Sequence, residues 1–200
     1  MIKVCHVTSV HPAKDARIFH KECRSLAKEY EVYLIAPNVK DEIAEGVHIL
    51  GVTLPKSRLK RMMNLNAIYQ KALEVDAAVY HLHDPELLYL GLKLKHRGKK
   101  VIFDSHEDIP QQLLEKGYYP SWCKKPISFI YTLIEKYCLK RYDAVISVTP
   151  SIVERLAAIN PLTVMVTNYP PFEEAADNQR VTGGGGVYLL CGWRRRPLYA

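Results

Sequence analysis

The sequence predicts an α/β protein, a doubly wound, Rossmann-like parallel sheet of about seven strands with helices on both faces. Three observations carry that prediction. Apolar runs rich in β-branched residues alternate with stretches of helical periodicity as far as about residue 172. The runs are almost continuously apolar, as strands covered on both faces are. Polar residues and histidines gather just after the runs, at the carboxyl strand ends where such sheets place their ligands.

Residues 2–8 read as a first buried strand, followed by a loop over 9–14. Asp15 can cap the helix that follows, in which Ile18, Cys23 and Leu26, flanked by Phe19 and Ala27, share one face. Residues 32–36 form a second strand, ended by Pro37 and Asn38, and 47–52 a third, after a turn at Gly46. A basic helix is predicted over 57–74 and a fourth strand over 77–81. Asp84 at the cap and Pro85 at the first position start a leucine-rich helix over 85–97, which Gly98 stops. Residues 101–103 make a fifth strand, and 106–120 a loop with a short helix. An amphipathic helix covers 126–141 and a sixth strand 144–148. Ser151 and Glu154 have the spacing of a capping box for a helix over 151–158, before a seventh strand over 163–167. The alternation then stops. Residues 173–200, with four consecutive glycines from Gly183 to Gly186, read as an irregular or flexible tail.

Composition narrows the function classes. With 200 residues, 48% hydrophobic and 24% charged, the chain suits one globular domain and excludes global disorder. No apolar run approaches the ~20 residues that span a bilayer. The first residues read at once as a strand and not as a signal peptide. Five cysteines, an odd number with no CxxC pair, argue for reduced and mostly buried thiols and against a disulfide framework. Nearly all of the +7 net charge lies in residues 51–100, which carry ten Lys and Arg against four Asp and Glu. Such a face suits an anionic partner. Nucleic acid is not expected, because no recognised nucleic-acid module is present. The first strand–helix loop also lacks GxGxxG, which argues against a dinucleotide-dependent dehydrogenase.

Four of the eight histidines, His11, His81, His83 and His106, fall at the carboxyl edge of the predicted sheet. Thr8, Ser9, Asp84, Glu86, Asp104, Glu107, Asp108, Thr149, Ser151, Asn168 and Tyr169 fall there too. Histidines and carboxylates suit acid–base work or recognition of a hydroxylated substrate. His81-Leu82-His83 places two imidazoles on one face of a strand, as a metal site could use. A third and fourth ligand cannot be singled out, so no metal is expected.

Six segments, in order, carry a family resemblance: 3–12, 15–26, His81-Leu82-His83-Asp84-Pro85-Glu86-Leu87, Asp104-Ser105-His106-Glu107-Asp108-Ile109-Pro110, 143–149, and Asn168-Tyr169-Pro170. Over about residues 1–172 the chain resembles the N-terminal, acceptor-side domain of family 4 glycosyltransferases of the GT-B fold, particularly bacterial members that build surface polysaccharide. The resemblance implies retaining transfer from a nucleotide sugar to a glycan or lipid-linked acceptor, with no metal or other cofactor. His106 matches the family's active-site histidine. His83 and Asp84 match the motif that faces the cleft. By the same resemblance His11, Lys14, Arg17, Glu107, Thr149 and Asn168 become substrate-binding candidates. Many relatives have paired glycines in the first loop, where this chain has His11-Pro12-Ala13-Lys14, so Lys14 or Arg17 would supply positive charge there.

Relatives carry a second, donor-binding domain with a basic pair and an E-x7-E motif, and nothing after Phe172 matches these. The expectation is therefore a half-enzyme, truncated, frame-disrupted or split, inactive without a separate C-terminal donor domain. A GT-B nucleotide-sugar epimerase fragment and a non-catalytic sugar- or polymer-binding subunit are the alternatives. Lys56, Arg58, Lys60 and Arg61 lie beside Leu59, Met62, Met63 and Leu65, and Trp122, Lys124 and Lys125 form a second basic–aromatic place. Both suit an anionic bilayer surface. The expected location is cytoplasmic, with peripheral contact at the inner face of the plasma membrane as an option; the bland alternative makes Met62, Leu65 and Trp122 core or interdomain packing and leaves the lysines solvated.

Overall fold

A computed structural model describes residues 1–167 except 116 and 118. The predicted tail and the segment Asn168-Tyr169-Pro170 lie outside the described residues. The strands are β1 (Lys3–Val7), β2 (Glu31–Pro37), β3 (Glu42–Ala44), β4 (Val47–Val52), β5 (Val79–Leu82), β6 (Lys100–Ser105), β7 (Ala144–Ser147) and β8 (Thr163–Met165). They form one sheet in the order β3-β4-β2-β1-β5-β6-β7-β8. All pairings are parallel except that of β3 with β4. The chain runs outward from β1 through β2 to β4, then returns to lay β5 on the other side of β1. The reversal of strand order thus falls between β1 and β5, where doubly wound sheets open a crevice.

The strand absent from the sequence reading is β3. Its three residues, Glu42, Ile43 and Ala44, are too few to make an apolar run or a period. Glu45 and Gly46, both at positive φ (50° and 80°), make the tight turn that folds β3 back antiparallel on β4. The last strand is shorter than predicted, at Thr163–Met165.

The helical segments are α1 (a π-helix over Ile18–Cys23 running into Arg24–Leu26), α2 (Arg58–Met63), α3 (Leu65–Val75), α4 (Leu88–His96), α5 (Ile109–Glu115), α6 (Ser121–Leu139) and α7 (Pro150–Ala157). Asp15 does cap α1, its Oδ1 accepting from the N–H groups of Arg17 (2.8 Å) and Ile18 (2.9 Å). The single basic helix predicted over 57–74 is two helices, parted at Asn64, where the backbone leaves helical geometry. α6 begins five residues before the predicted start at 126, and Pro126 lies inside it. α7 starts at Pro150 with Thr149 in the cap position, so the capping box of Ser151 and Glu154 does not form. Pro at the first helical position sets that start, since its missing N–H costs nothing there.

Alternate strand residues build two cores. One face carries Cys5, Val7, Tyr80, Leu82, Phe103 and Val145 against Ile68, Ala72 and Val75 of α3, Leu88 and Leu94 of α4, and Leu139 of α6. Gly91 of α4 allows its close approach there: a Cβ on it would lie 2.6 Å from Tyr142 Cζ and 2.8 Å from Leu82 Cδ1. The opposite face carries Val32, Leu34, Ala36, Val47 and Ile49 against Ile18, Phe19 and Cys23 of α1. On β1, β5 and β6 that second face turns polar, with buried His6, His81, His83 and Asp104 continuing the same surface.

Candidate functional site

Register explains how the polar side chains meet. His6 pairs with His81 across β1 and β5, and Leu82 with Phe103 across β5 and β6, so His83 comes level with Asp104. Alternation along each strand puts His6, His81, His83 and Asp104 on the α1 side. Above them α1 places Glu22, and Arg17 comes from the residue before it. Arg17 holds the Asp104 carboxylate through Nε (3.1 Å) and Nη2 (3.0 Å to Oδ2, 3.2 Å to Oδ1), and donates from Nη1 to the Val166 carbonyl at 3.1 Å. Its Nε also stands 3.0 Å from Glu22 Oε1. Arg17 is thus a buried strut between α1, β6 and the segment after β8, with its guanidinium already engaged.

The β1–α1 loop is gathered on Asp84. Its Oδ2 accepts from the Thr8 hydroxyl (2.8 Å), the Ser9 N–H (2.6 Å) and the Val10 N–H (3.3 Å), and lies 3.2 Å from Ser9 Oγ. The predicted helix cap at Asp84 is corrected accordingly. Pro85 does occupy the first position, but no side-chain cap bond forms, because the carboxylate is spent on the loop across the crevice. Ser9 Oγ donates to Glu86 at 2.6 Å. Arg61 of α2 grips Glu86 with Nε and, at 3.2 Å, with Nη2.

A cleft of about 640 Å³ opens over these groups. His11, His83, Asp84, Glu86, His106 and Glu107 are among its lining residues. The His106 ring stacks on His83 (centroids 5.9 Å apart, planes 10° apart) and meets His11 edge-on at 6.1 Å. His106 Nδ1 lies 3.3 Å from Asp104 Oδ1, and His11 Nε2 lies 3.4 Å from Asp84 Oδ1. Burial lowers the pKa of His106, with Asp104 opposing. His106 Nδ1 makes no hydrogen bond to Asp104 at that separation, and a neutral imidazole offers one ring nitrogen as donor and the other as acceptor to a hydroxyl. Burial also drives His6 down to about 4 and His81 and His83 well below the usual imidazole range, and it raises Glu22 well above the carboxylate range.

The remaining candidates divide. Lys14 does not line the cleft; its ammonium is 3.2 Å from Glu42 on the edge strand β3. Thr149 is exposed at the start of α7, 3.4 Å from Ser151 Oγ, and is not among the cleft residues. Asn168 lies outside the described residues. Of the membrane candidates, Arg58 opens α2, and Lys56, Lys60, Lys125 and Trp122 are exposed, the last at 83%. Lys124 is half-buried, and Arg61 faces Glu86 inside the cleft. Trp122 and Met62 are therefore surface residues and not core.

His6, Glu22 and Arg61, the partner of Glu86, are the functional-site members that the sequence reading did not place there. His6 had a signal: a lone imidazole in an apolar strand marks a buried polar group. Glu22 had one as well, a carboxylate on the apolar face of α1.

Comparison with known proteins agrees with this fold. The chain is similar in structure to sucrose-phosphate synthase from Thermosynechococcus elongatus, at TM-score 0.63 and 11% identity over 91% of this chain and 53% of that one. A shorter chain of the same synthase matches at TM-score 0.54 and 12% identity, over 89% of this chain and 95% of that one. UDP-N-acetylglucosamine 2-epimerase from Rickettsia bellii matches at TM-score 0.56 and 12% identity, over 90% of this chain and 48% of that one. The chain thus spans about half the length of the full synthase and epimerase chains. No curated protein matches it in sequence. The family model described as Glycosyltransferase Family 4 matches residues 16–167, which reach from just ahead of α1 to just beyond β8, and the chain belongs to that family.

Proposed function

We propose that this chain is the acceptor-side half of a retaining, nucleotide-sugar-dependent glycosyltransferase that works in polysaccharide or glycolipid assembly. The observation that carries the reading is the cleft at the β1–β5 reversal, lined by imidazoles held neutral by burial and by carboxylates already bonded to protein donors. Such a surface offers acceptors and donors to sugar hydroxyls but little free positive charge to a diphosphate. Arg17 is engaged by Asp104, Arg61 by Glu86 and Lys14 by Glu42. Donor binding accordingly falls to a second half, carried in the same polypeptide or in another, and the chain by itself is inactive. Family membership favours a transferase over an epimerase.

His106 is the residue that would touch the transferred sugar, with the Asp104 carboxylate 3.3 Å behind its Nδ1. His11 and Glu107 would border the acceptor. No metal or cofactor is needed for this division of labour. Contact with the cytoplasmic face of an anionic membrane fits α6, where Trp122, Phe129, Ile130, Leu133, Ile134 and Tyr137 form an exposed apolar stripe. Exposed Lys125, Lys136 and Lys140 lie on or beside the same helix.

The test is ligand-observed NMR of the 200-residue chain against a panel of mono- and oligosaccharides. Saturable binding of at least one sugar, weakened at least tenfold by His106→Gln in a folded variant, is expected. Binding that H106Q leaves unchanged would remove His106 from the site.

A further inference from the structure

Beneath the cleft lies a cluster of which only His83 also lines the cleft; His6, Glu22 and His81 have no part in the proposed reaction. His6 Nδ1, Glu22 Oε2, His81 Nδ1 and His83 Nε2 all fall within 4.8 Å of one another. Glu22 Oε2 is 3.8 Å from each of the three imidazole nitrogens, and His6 Nδ1 is 3.0 Å from His83 Nε2. The three histidines are buried, and Glu22 is nearly so, with 14% of its side chain exposed.

We propose that His6, Glu22, His81 and His83 form a four-ligand Zn2+ site that pins α1 to β1 and β5 under the floor of the cleft. Three imidazole nitrogens and one carboxylate oxygen are zinc ligands, and four protein ligands make a closed, structural site. Tetrahedral zinc with bonds of about 2.0–2.1 Å holds its ligand atoms about 3.3 Å apart, so each Glu22–histidine edge closes by about half an ångström. Small side-chain rotations supply that closure.

The surroundings fit an ion better than they fit the four side chains alone. Both Glu22 oxygens, His81 Nε2 and His83 Nδ1 are buried and make no hydrogen bond, and His6 Nε2 is in the same position. Buried polar atoms are nearly always partnered. An ion would take the lone pair of Glu22 Oε2, while Arg17 Nε at 3.0 Å faces Oε1. The ring nitrogens of His81 and His83 that do not ligate face one carboxylate, with Asp104 Oδ2 at 3.9 and 3.7 Å. Those separations exceed a hydrogen bond, so Asp104 would have to close in to act as the outer carboxylate of a metal-bound histidine. Asp104 is itself held by Arg17, which offsets its charge. A neighbouring group, His83, Asp104 and His106, shares His83 with this site, so only one of the two can be filled. Asp104 is already committed to Arg17, which favours the Glu22 set.

The experiment uses the full 200-residue chain, stripped with a chelator and titrated with Zn2+ against a chromophoric competitor. Co2+ is titrated in parallel. One equivalent of Zn2+ at micromolar affinity or tighter, a Zn2+-dependent rise in melting temperature, and the intense visible spectrum of four-coordinate Co2+ are expected. Glu22→Gln and His81→Gln should each weaken Zn2+ binding tenfold or more, and His106→Gln should not. No retained Zn2+, or the weak spectrum of six-coordinate Co2+, overturns the proposal. So does loss of binding in H106Q with binding kept in E22Q and H81Q, which would assign the ion to the neighbouring group. Should the ligand variants fail to fold, X-ray absorption of the Zn2+-loaded wild-type chain decides, since three imidazoles are expected and fewer than two would contradict the site. None of these readouts depends on sugar binding, so this proposal and the glycosyltransferase reading stand or fall separately.

Discussion

Asp84 shows how one carboxylate can fix a loop. Three donors from three consecutive residues converge on its Oδ2, two of them backbone N–H groups at 2.6 and 3.3 Å. Asp84→Asn halves the carboxylate's acceptor capacity and introduces an amide that has no acceptor among those donors. A loss of roughly 2 kcal/mol is expected, read by urea unfolding, because donors buried without a partner carry their full desolvation cost. A loss within ~0.3 kcal/mol would show that the loop does not depend on it. Asp143 makes a second residue-scale case. Burial alone would raise its pKa, but Lys95 Nζ at 2.7 Å, the Val101 N–H at 2.8 Å and Lys100 outweigh that and hold it below the usual value. A depressed folded pKa gives stability that is present above the unfolded value and lost as pH falls through the folded one. Unfolding free energy should therefore decline below about pH 4, and Asp143→Asn should flatten that decline. An acid limb of unchanged slope in D143N would contradict the assignment.

At this scale the sequence was partly legible. The gathering of His11, His83 and His106 at one edge could be read from strand order alone. Their partnership with His6 and Glu22 could not. It depends on which residue of β1 lies beside which residue of β5, and register is a tertiary property. Asp84 was read as a helix cap because its local signal, Asp before Pro, is strong. A competing demand from the loop across the crevice took the carboxylate instead.

Among the elements, α6 departs most from a simple amphipathic helix. Its inward residues Cys138 and Leu139 join the core, and buried Glu135 receives Arg155 of α7 at 2.5 Å. Its outer stripe of Phe129, Ile130, Leu133, Ile134 and Tyr137 remains exposed. Co-sedimentation with vesicles should show binding to phosphatidylglycerol and little to phosphatidylcholine. The double substitution Phe129→Ser and Leu133→Ser should reduce that binding at least tenfold without loss of stability, since both side chains are already exposed. Equal binding to both lipids, or none, would reject an electrostatic bilayer contact. The strongly apolar strands were predicted close to their observed bounds, whereas β3 and the break at Asn64 were not. A three-residue edge strand is too short to carry a periodic signal, and Asn64 lies inside a pattern that stays helical on either side of it.

For the whole molecule, the parallel order followed from apolar runs that alternate with helices, and the crevice followed from that order. The chain belongs to glycosyltransferase family 4. The division of labour is the further claim: this half receives the acceptor, and the nucleotide sugar is held elsewhere. Isothermal titration of the 200-residue chain with UDP-glucose and GDP-mannose, beside the saccharides that bind by NMR, tests it most directly. The account predicts saturable saccharide binding, with nucleotide sugars binding no tighter than about millimolar, some 4 kcal/mol. Micromolar binding of either nucleotide sugar to this chain alone would contradict it.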